Sequence, residues 1–388
     1  MSDLRPSLPL SLVLWLAGLG AAAQYGKISV IFDRLPQVYP QAGAALGWTV
    51  SMVGVIGIAL GLVAGILAAR IGLRRALLAG LWAGAAVSLL QASFPPLPVF
   101  LALRVVEGVS HLALVVVIPT LIAQLSTDRL RPLMLTVWGT FFGVAFAILV
   151  FAGLPLVDRF GMSALFVAHA VYMAGFAMVL HAWVPRDRAG EGQMPGLAAL
   201  GRDHLRIYRS AHISAPAWGW LFYTFCFVSF LTLVPPFLPE AQRVWVVGAM
   251  PLVSIASSLV LGVQLLRVTS PIGVVVLGFG LSAACALALL AAPGNAVLCL
   301  TFASALGLVQ GASFAAVPQL NTAPDSRAMA NGGMAQMGNI GNTLGTPMIA
   351  WAITFGGHAA MMLALAAALI AGCLVHLWLA HLRRQGGY

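Results

Sequence analysis

The sequence predicts an all-α integral membrane protein with twelve transmembrane helices in two six-helix halves. Three observations carry this. Of 388 residues, 61% are hydrophobic and 8% charged, about a third of the charged share of a soluble domain. The mean hydropathy is +0.98. The apolar residues fall in runs that match the roughly 20 residues a helix needs to cross a bilayer. These runs are too long and too uniformly apolar for the short, alternating strands of a membrane barrel. Soluble globular, disordered, collagen-like, coiled-coil and disulfide-scaffold classes are excluded by the same composition.

The candidate helices lie at about 8–32, 46–69, 76–94, 97–125, 132–156, 162–184, 214–238, 244–267, 271–292, 295–320, 329–355 and 358–381. The first imitates a secretory leader, with Arg5 ahead of an apolar run and Ala21-Ala22-Ala23-Gln24 at its end. Its apolar character continues to Phe32, so it reads as a retained span. The net charge of +10 comes from nineteen arginines, one lysine and ten acids. Such an excess suits nucleic acid in a soluble protein. Here the arginines occupy short loops, where they set topology. With the N-terminus inside, fifteen lie in inner loops and tails and three (Arg34, Arg159 and Arg243) in outer loops. Both termini are therefore expected in the cytoplasm of a multi-pass protein of the bacterial inner membrane, with lipid rather than nucleic acid as surroundings. The four cysteines sit inside apolar runs without metal-like spacing and read as packing residues.

The long polar stretch at 185–213 holds Arg186, Asp187, Arg188, Glu191, Arg202, Asp203, Arg206, Arg209, Pro185 and Pro195. It reads as a cytoplasmic linker between halves at 1–184 and 214–388. Leu197, Leu200, Leu205 and Tyr208 suit a short helix on the membrane surface, and a plain solvated linker suits the composition equally. An internal repeat supports the division. Glu107-Gly108-Val109-Ser110 returns as Gln310-Gly311-Ala312-Ser313, Gly65…Arg70 as Gly262…Arg267, and Gly153-Leu154-Pro155 as Gly345-Thr346-Pro347. Six helices per half bring both halves in from the same side, so the repeats are parallel.

Gly65-Ile66-Leu67-Ala68-Ala69-Arg70-Ile71-Gly72-Leu73-Arg74-Arg75 resembles the loop signature of the major facilitator superfamily, Gly-x-Leu-Ala-Asp-Arg-x-Gly-Arg-Arg. Arg104-Val105-Val106-Glu107-Gly108 resembles that family's fourth-helix signature and, more loosely, a branch of cyanate or organic-anion permeases. The resemblance implies a secondary transporter with Gly65, Arg70, Gly72, Arg74 and Arg75 in a gating loop. Ala69 stands where the family has aspartate, so the family's latch is missing or built otherwise. The fifth helix has Trp138-Gly139-Thr140-Phe141-Phe142-Gly143 without the Gly-Pro pair that marks proton-coupled drug exporters.

Ionisable groups inside a span cost about 2.5–3.5 kcal/mol each at its centre and therefore face the bundle interior or water. Arg104, Glu107 and His111 fall within about 60° on the fourth helix at 100° per residue. Lys27, the only lysine, shares a face of the first helix with Gln24. In the family the first and fourth helices line the central cavity. One reading makes Lys27 and Arg104, with Gln24 and Tyr25, a floor for an anionic substrate, and Glu107 the proton-coupling carboxylate. The other makes Arg104–Glu107 or Lys27–Glu107 a staple between helices. His111 reads as a hydrogen-bonded buried histidine ahead of a proton relay. Gln310 matches Glu107 in the second half, and Asn339 lies in a glycine-rich eleventh helix that reads as close packing ahead of a hinge. Trp218, Trp220 and Tyr223 read as interface belt or core ahead of a substrate platform.

No HExxH, GxSxG, P-loop or CxxC motif is present, so the chain is expected to be no enzyme, to need no cofactor or metal, and to run on a gradient. The expected function is proton-coupled uptake of a small organic anion by a monomer. A proton-driven exporter of amphipathic or cationic compounds is the alternative.

Overall fold

The computed structural model describes residues 6–185 and 196–386. Arg5, Arg186, Asp187, Arg188, Glu191 and Pro195, which the sequence reading names, lie outside them, as do the side chains of Leu197 and Leu200. The described residues form helices and turns without strands. In chain order the helices are α1 (Leu8–Ser29), α2 (Gly47–Ser51), α3 (Val55–Leu60), α4 (Ala64–Ile71), α5 (Leu73–Gln91), α6 (Leu97–Leu125), α7 (Arg131–Gly139), α8 (Phe141–Ile148), α9 (Leu154–Phe160), α10 (Met162–Trp183), α11 (Leu197–Arg209), α12 (Ser214–Leu233), α13 (Glu240–Ala256), α14 (Val263–Leu265), α15 (Pro271–Ala291), α16 (Ala296–Leu320) and α17 (Pro324–Arg384). Among the described residues, eleven helical stretches are long and apolar enough to cross a membrane, several of them built from consecutive short helices. The last, α17, runs 61 residues but carries non-helical backbone at Gly356 and Gly357. Gly357 has φ +55°, a left-handed conformation that favours glycine, and it falls between the eleventh and twelfth spans read from the sequence.

Two compact units form, Met1–Pro40 with Val55–Met194, and Gln41–Gly54 with Pro195–Tyr388. In the first, α5 packs against α6 and α10, and α1 against α6, α8 and α10. Leu14, Leu77, Leu81, Leu114, Ile118 and Met173 fill its core. Close approach depends on glycine: a Cβ on Gly84 would lie 2.5 Å from Met173 Cε and 2.7 Å from Ser110 Oγ.

In the second unit α12 packs along α17. The glycine run does what the packing reading expects. Cβ atoms on Gly341 and Gly345 would run into the α12 backbone at Leu221 and Phe225. Residues 41–54, which include the start of the second span read from the sequence at 46–69, cluster with this unit. Ser51 Oγ donates to Asn342 O at 3.0 Å, and Gly47 lies so close to Pro347 that a Cβ would sit 2.6 Å from its Cα. The linker contains a helix, α11.

Candidate functional site

The fully enclosed charged residues of the first unit, Lys27, Arg104 and Glu107, meet at one place. Lys27 lies in the last turn of α1, where a cation complements the helix carbonyls. Arg104 and Glu107 are one turn apart on α6. All three side chains are fully enclosed, with 0% exposure. Lys27 Nζ lies 2.6 Å from Glu107 Oε1, and Arg104 Nη1 pairs with the other carboxylate oxygen, Oε2. Gln91 Nε2 on α5 also donates to Oε2, at 2.8 Å. The carboxylate is thus shared between two cations and an amide. Buried charges survive only when paired in this way.

The remaining valences of Lys27 are satisfied by α5 and α10. Its ammonium donates to Ser88 Oγ at 2.9 Å and lies 3.5 Å from His169 Nδ1 and 5.1 Å from the centre of the Phe166 ring. His169 Nε2 sits 2.9 Å from Gly20 O. A proton on Nε2 donates to that carbonyl and leaves Nδ1 to accept from Lys27. Gln24 and His111 form an adjoining shell. His111 Nδ1 lies 3.1 Å from Ala21 O and 3.2 Å from Gln24 Oε1, while Gln24 Nε2 donates to Ser110 Oγ at 2.8 Å. His111 is therefore hydrogen-bonded to α1. The Tyr25 ring stands edge-on to His111 at 5.1 Å. Its hydroxyl is buried and has no hydrogen-bond partner among the described residues.

Counting Lys27, Arg104 and Glu107 as ionised, the cluster carries one net positive charge. Sequence reasoning found these three, with Gln24, Tyr25 and His111, and missed Ser88, Gln91 and His169. His169 carried a usable signal, an ionisable residue in the middle of an apolar run. Ser88 and Gln91, three apart in the third run, carried a weaker one. Gln310 on α16 and Asn339 on α17 belong to the second unit and are half-buried. Asn339 Nδ2 donates to Ala335 O at 2.8 Å, within its own helix.

The loop between α4 and α5 turns at Gly72, with φ +93°. Arg74 reaches the end of α10, donating from Nε to Val184 O at 2.9 Å and from Nη2 to His181 O at 2.7 Å. It satisfies carbonyls that the helix end leaves over. Gly65, Arg70 and Arg75 are exposed. Asp158 and Arg159 lie in the last turn of α9 ahead of Gly161, and Asp158 pairs with Arg34 at 2.7 Å.

The family model of the Major Facilitator Superfamily matches residues 10–319. The chain belongs to that superfamily. It is a multi-pass membrane protein and a secondary transporter rather than an enzyme. Among solved structures it is similar to a bacterial homologue of the human lysosomal transporter Spinster, described as inward-facing and unoccupied. The TM-score is 0.74 at 12% identity, covering 98% of each chain, a likeness of fold. A search of curated protein sequences finds no match. As a superfamily member, the chain departs from the loop signature at Ala69 and ties Arg74 to α10 within the same unit.

Proposed function

We propose that this transporter carries a small organic anion into the cell together with a proton, with Lys27 and Arg104 as the anion-binding cations and Glu107 as the proton-coupling carboxylate. The observation that carries this reading is the enclosed cluster of two cations and one carboxylate, Lys27–Glu107–Arg104. Its surplus positive charge is complemented by one anion. A neighbouring cation favours an ionised carboxylate, and desolvation favours the neutral form. An anion that draws Lys27 and Arg104 toward itself leaves Glu107 to take up a proton, so substrate and proton travel together. The unpartnered Tyr25 hydroxyl supplies a hydrogen-bond donor beside the cluster. The arginine bias toward one set of loops supports a cell-membrane orientation with both termini in the cytoplasm.

Thermal-shift screening of the purified protein against metabolite anions at two pH values identifies the anion. Its uptake is then measured in proteoliposomes under an imposed pH gradient. Lys27→Gln and Arg104→Gln are expected to abolish uptake while folded protein remains. Normal uptake per folded molecule in both variants removes the anion site and leaves the cluster as a staple between α1 and α6. Accumulation in everted vesicles on energisation, with Lys27 dispensable, assigns export instead.

A further inference from the structure

The linker helix α11 has two unlike sides. One is held by the second unit. Ile207 is buried, its Cγ2 lying 3.0 Å from where a Cβ on Gly333 of α17 would stand, and Ala217 of α12 closes on the same point at 3.4 Å. Tyr208 Oη donates to Gln336 Oε1 at 2.8 Å, and the His204 ring rests on Tyr208 at 4.9 Å. At 100° per residue, His204, Ile207 and Tyr208 share this side.

The opposite side carries a different chemistry. Leu205, Arg209, Arg202 and Arg206 follow one another around an arc of about 100°. All four are exposed, Leu205 by 53%. None of the three arginines takes part in an ion pair among the described residues. The one acid of this stretch, Asp203, lies off the arc. Ile207 and Ala217, the latter in the first turn of α12 where the apolar span begins, approach the same point beside Gly333 of α17. An exposed leucine flanked on one side by three arginines at that level matches the boundary between acyl chains and charged headgroups.

We propose that α11 is a docking site for anionic lipid, with Leu205 inserted at the acyl boundary and Arg202, Arg206 and Arg209 on lipid phosphates, anchoring the start of the second unit to the membrane surface. Charge complementarity selects anionic over zwitterionic headgroups. Leu205 at the arc's edge selects a lipid layer over a soluble polyanion, which offers it nothing apolar. This inference stands apart from the anion transport reading, because no residue is shared between the two sites.

The test uses the full-length protein in nanodiscs of phosphatidylcholine, with and without phosphatidylglycerol. Phosphatidylglycerol is expected to raise the melting temperature and to slow amide exchange across residues 202–209, and inorganic phosphate added to phosphatidylcholine discs to do neither. At about fivefold per arginine, R202Q/R206Q/R209Q should weaken phosphatidylglycerol binding on the order of 100-fold, and Leu205→Asp should weaken it as well. Wild-type exchange that is equal in the two lipids overturns the proposal without recourse to any variant. So does a lipid effect that persists in the triple variant, or inorganic phosphate acting as well as lipid. Heparin protecting these residues in detergent, with no lipid effect, would assign the face to a soluble polyanion.

Discussion

The two units share a repeat and differ in what they bury. The first encloses charge and satisfies it. Lys27, Arg104 and Glu107 are tied to Ser88, Gln91 and His169 across α1, α5, α6 and α10. The second encloses neutral polar groups and leaves several without partners among the described residues, including Ser313 Oγ, Thr346 Oγ1 and both ring nitrogens of His376. Corresponding positions show the divergence. Glu107 and Ser110 of α6 return as Gln310 and Ser313 of α16. A Cβ on Gly20 would lie 2.5 Å from Met173 Sδ, and one on Gly219 would lie 2.9 Å from His376 Nε2. Each unit thus seats a side chain of its last long helix against a glycine of its first, an apolar one in the first unit and a polar one in the second. The backbone geometry of a repeat outlasts the chemistry of its side chains, because glycine contacts fix helix spacing whatever occupies the gap.

The largest effect expected from this contrast is in the first unit. Glu107→Gln strands Lys27 and Arg104 together in the interior, and breaking such a buried pair costs about 3–5 kcal/mol. Lys27→Met leaves Arg104–Glu107 balanced and should cost distinctly less. Unfolding of both variants in mild detergent, followed by intrinsic fluorescence, gives the order, and equal losses would mean that the carboxylate is not the centre of the network.

In the second unit the tight α12–α17 contact should dominate. Gly345→Ala places a methyl against Phe225 O and 2.6 Å from Ser229 Oγ, an overpacking worth about 1–3 kcal/mol. Gly65→Ala, with open space around it, is the matched control. Indistinguishable melting temperatures for the two would show that α17 yields freely. The smallest effect, of opposite sign, is expected at His376. His376→Met copies the first unit's residue and removes a buried imidazole without partners, whose burial costs about 1–3 kcal/mol. The variant should melt at or slightly above the parent temperature. A clear drop would mean that this imidazole is partnered in the membrane.

The long helices were readable because each must satisfy its own backbone hydrogen bonds in lipid and present an apolar surface, and both demands are written into consecutive residues. The run at 97–125 matches α6 residue for residue. Breaks inside helices were not readable in the same way. The π-helical segments Leu149–Gly153 and Ser257–Gly262 lie in runs as apolar as their neighbours. The Lys27–Arg104–Glu107 cluster was found because charge is rare in a span. Ser88 and Gln91 were missed because single polar residues are common on helices and show their value only beside a charge.

Membership of the helical membrane class, the superfamily signatures and the rarity of interior charge follow from the chain's composition and order alone, since hydrocarbon penalises each misplaced polar group locally. Which groups close on Glu107, that Arg74 donates to the carbonyls at the end of α10, and that residues 41–54 pack with the second unit depended on the folded chain. Those contacts join residues tens to hundreds of positions apart, and a hydrogen bond or a glycine contact forms only when helix packing brings both partners within about 3 Å.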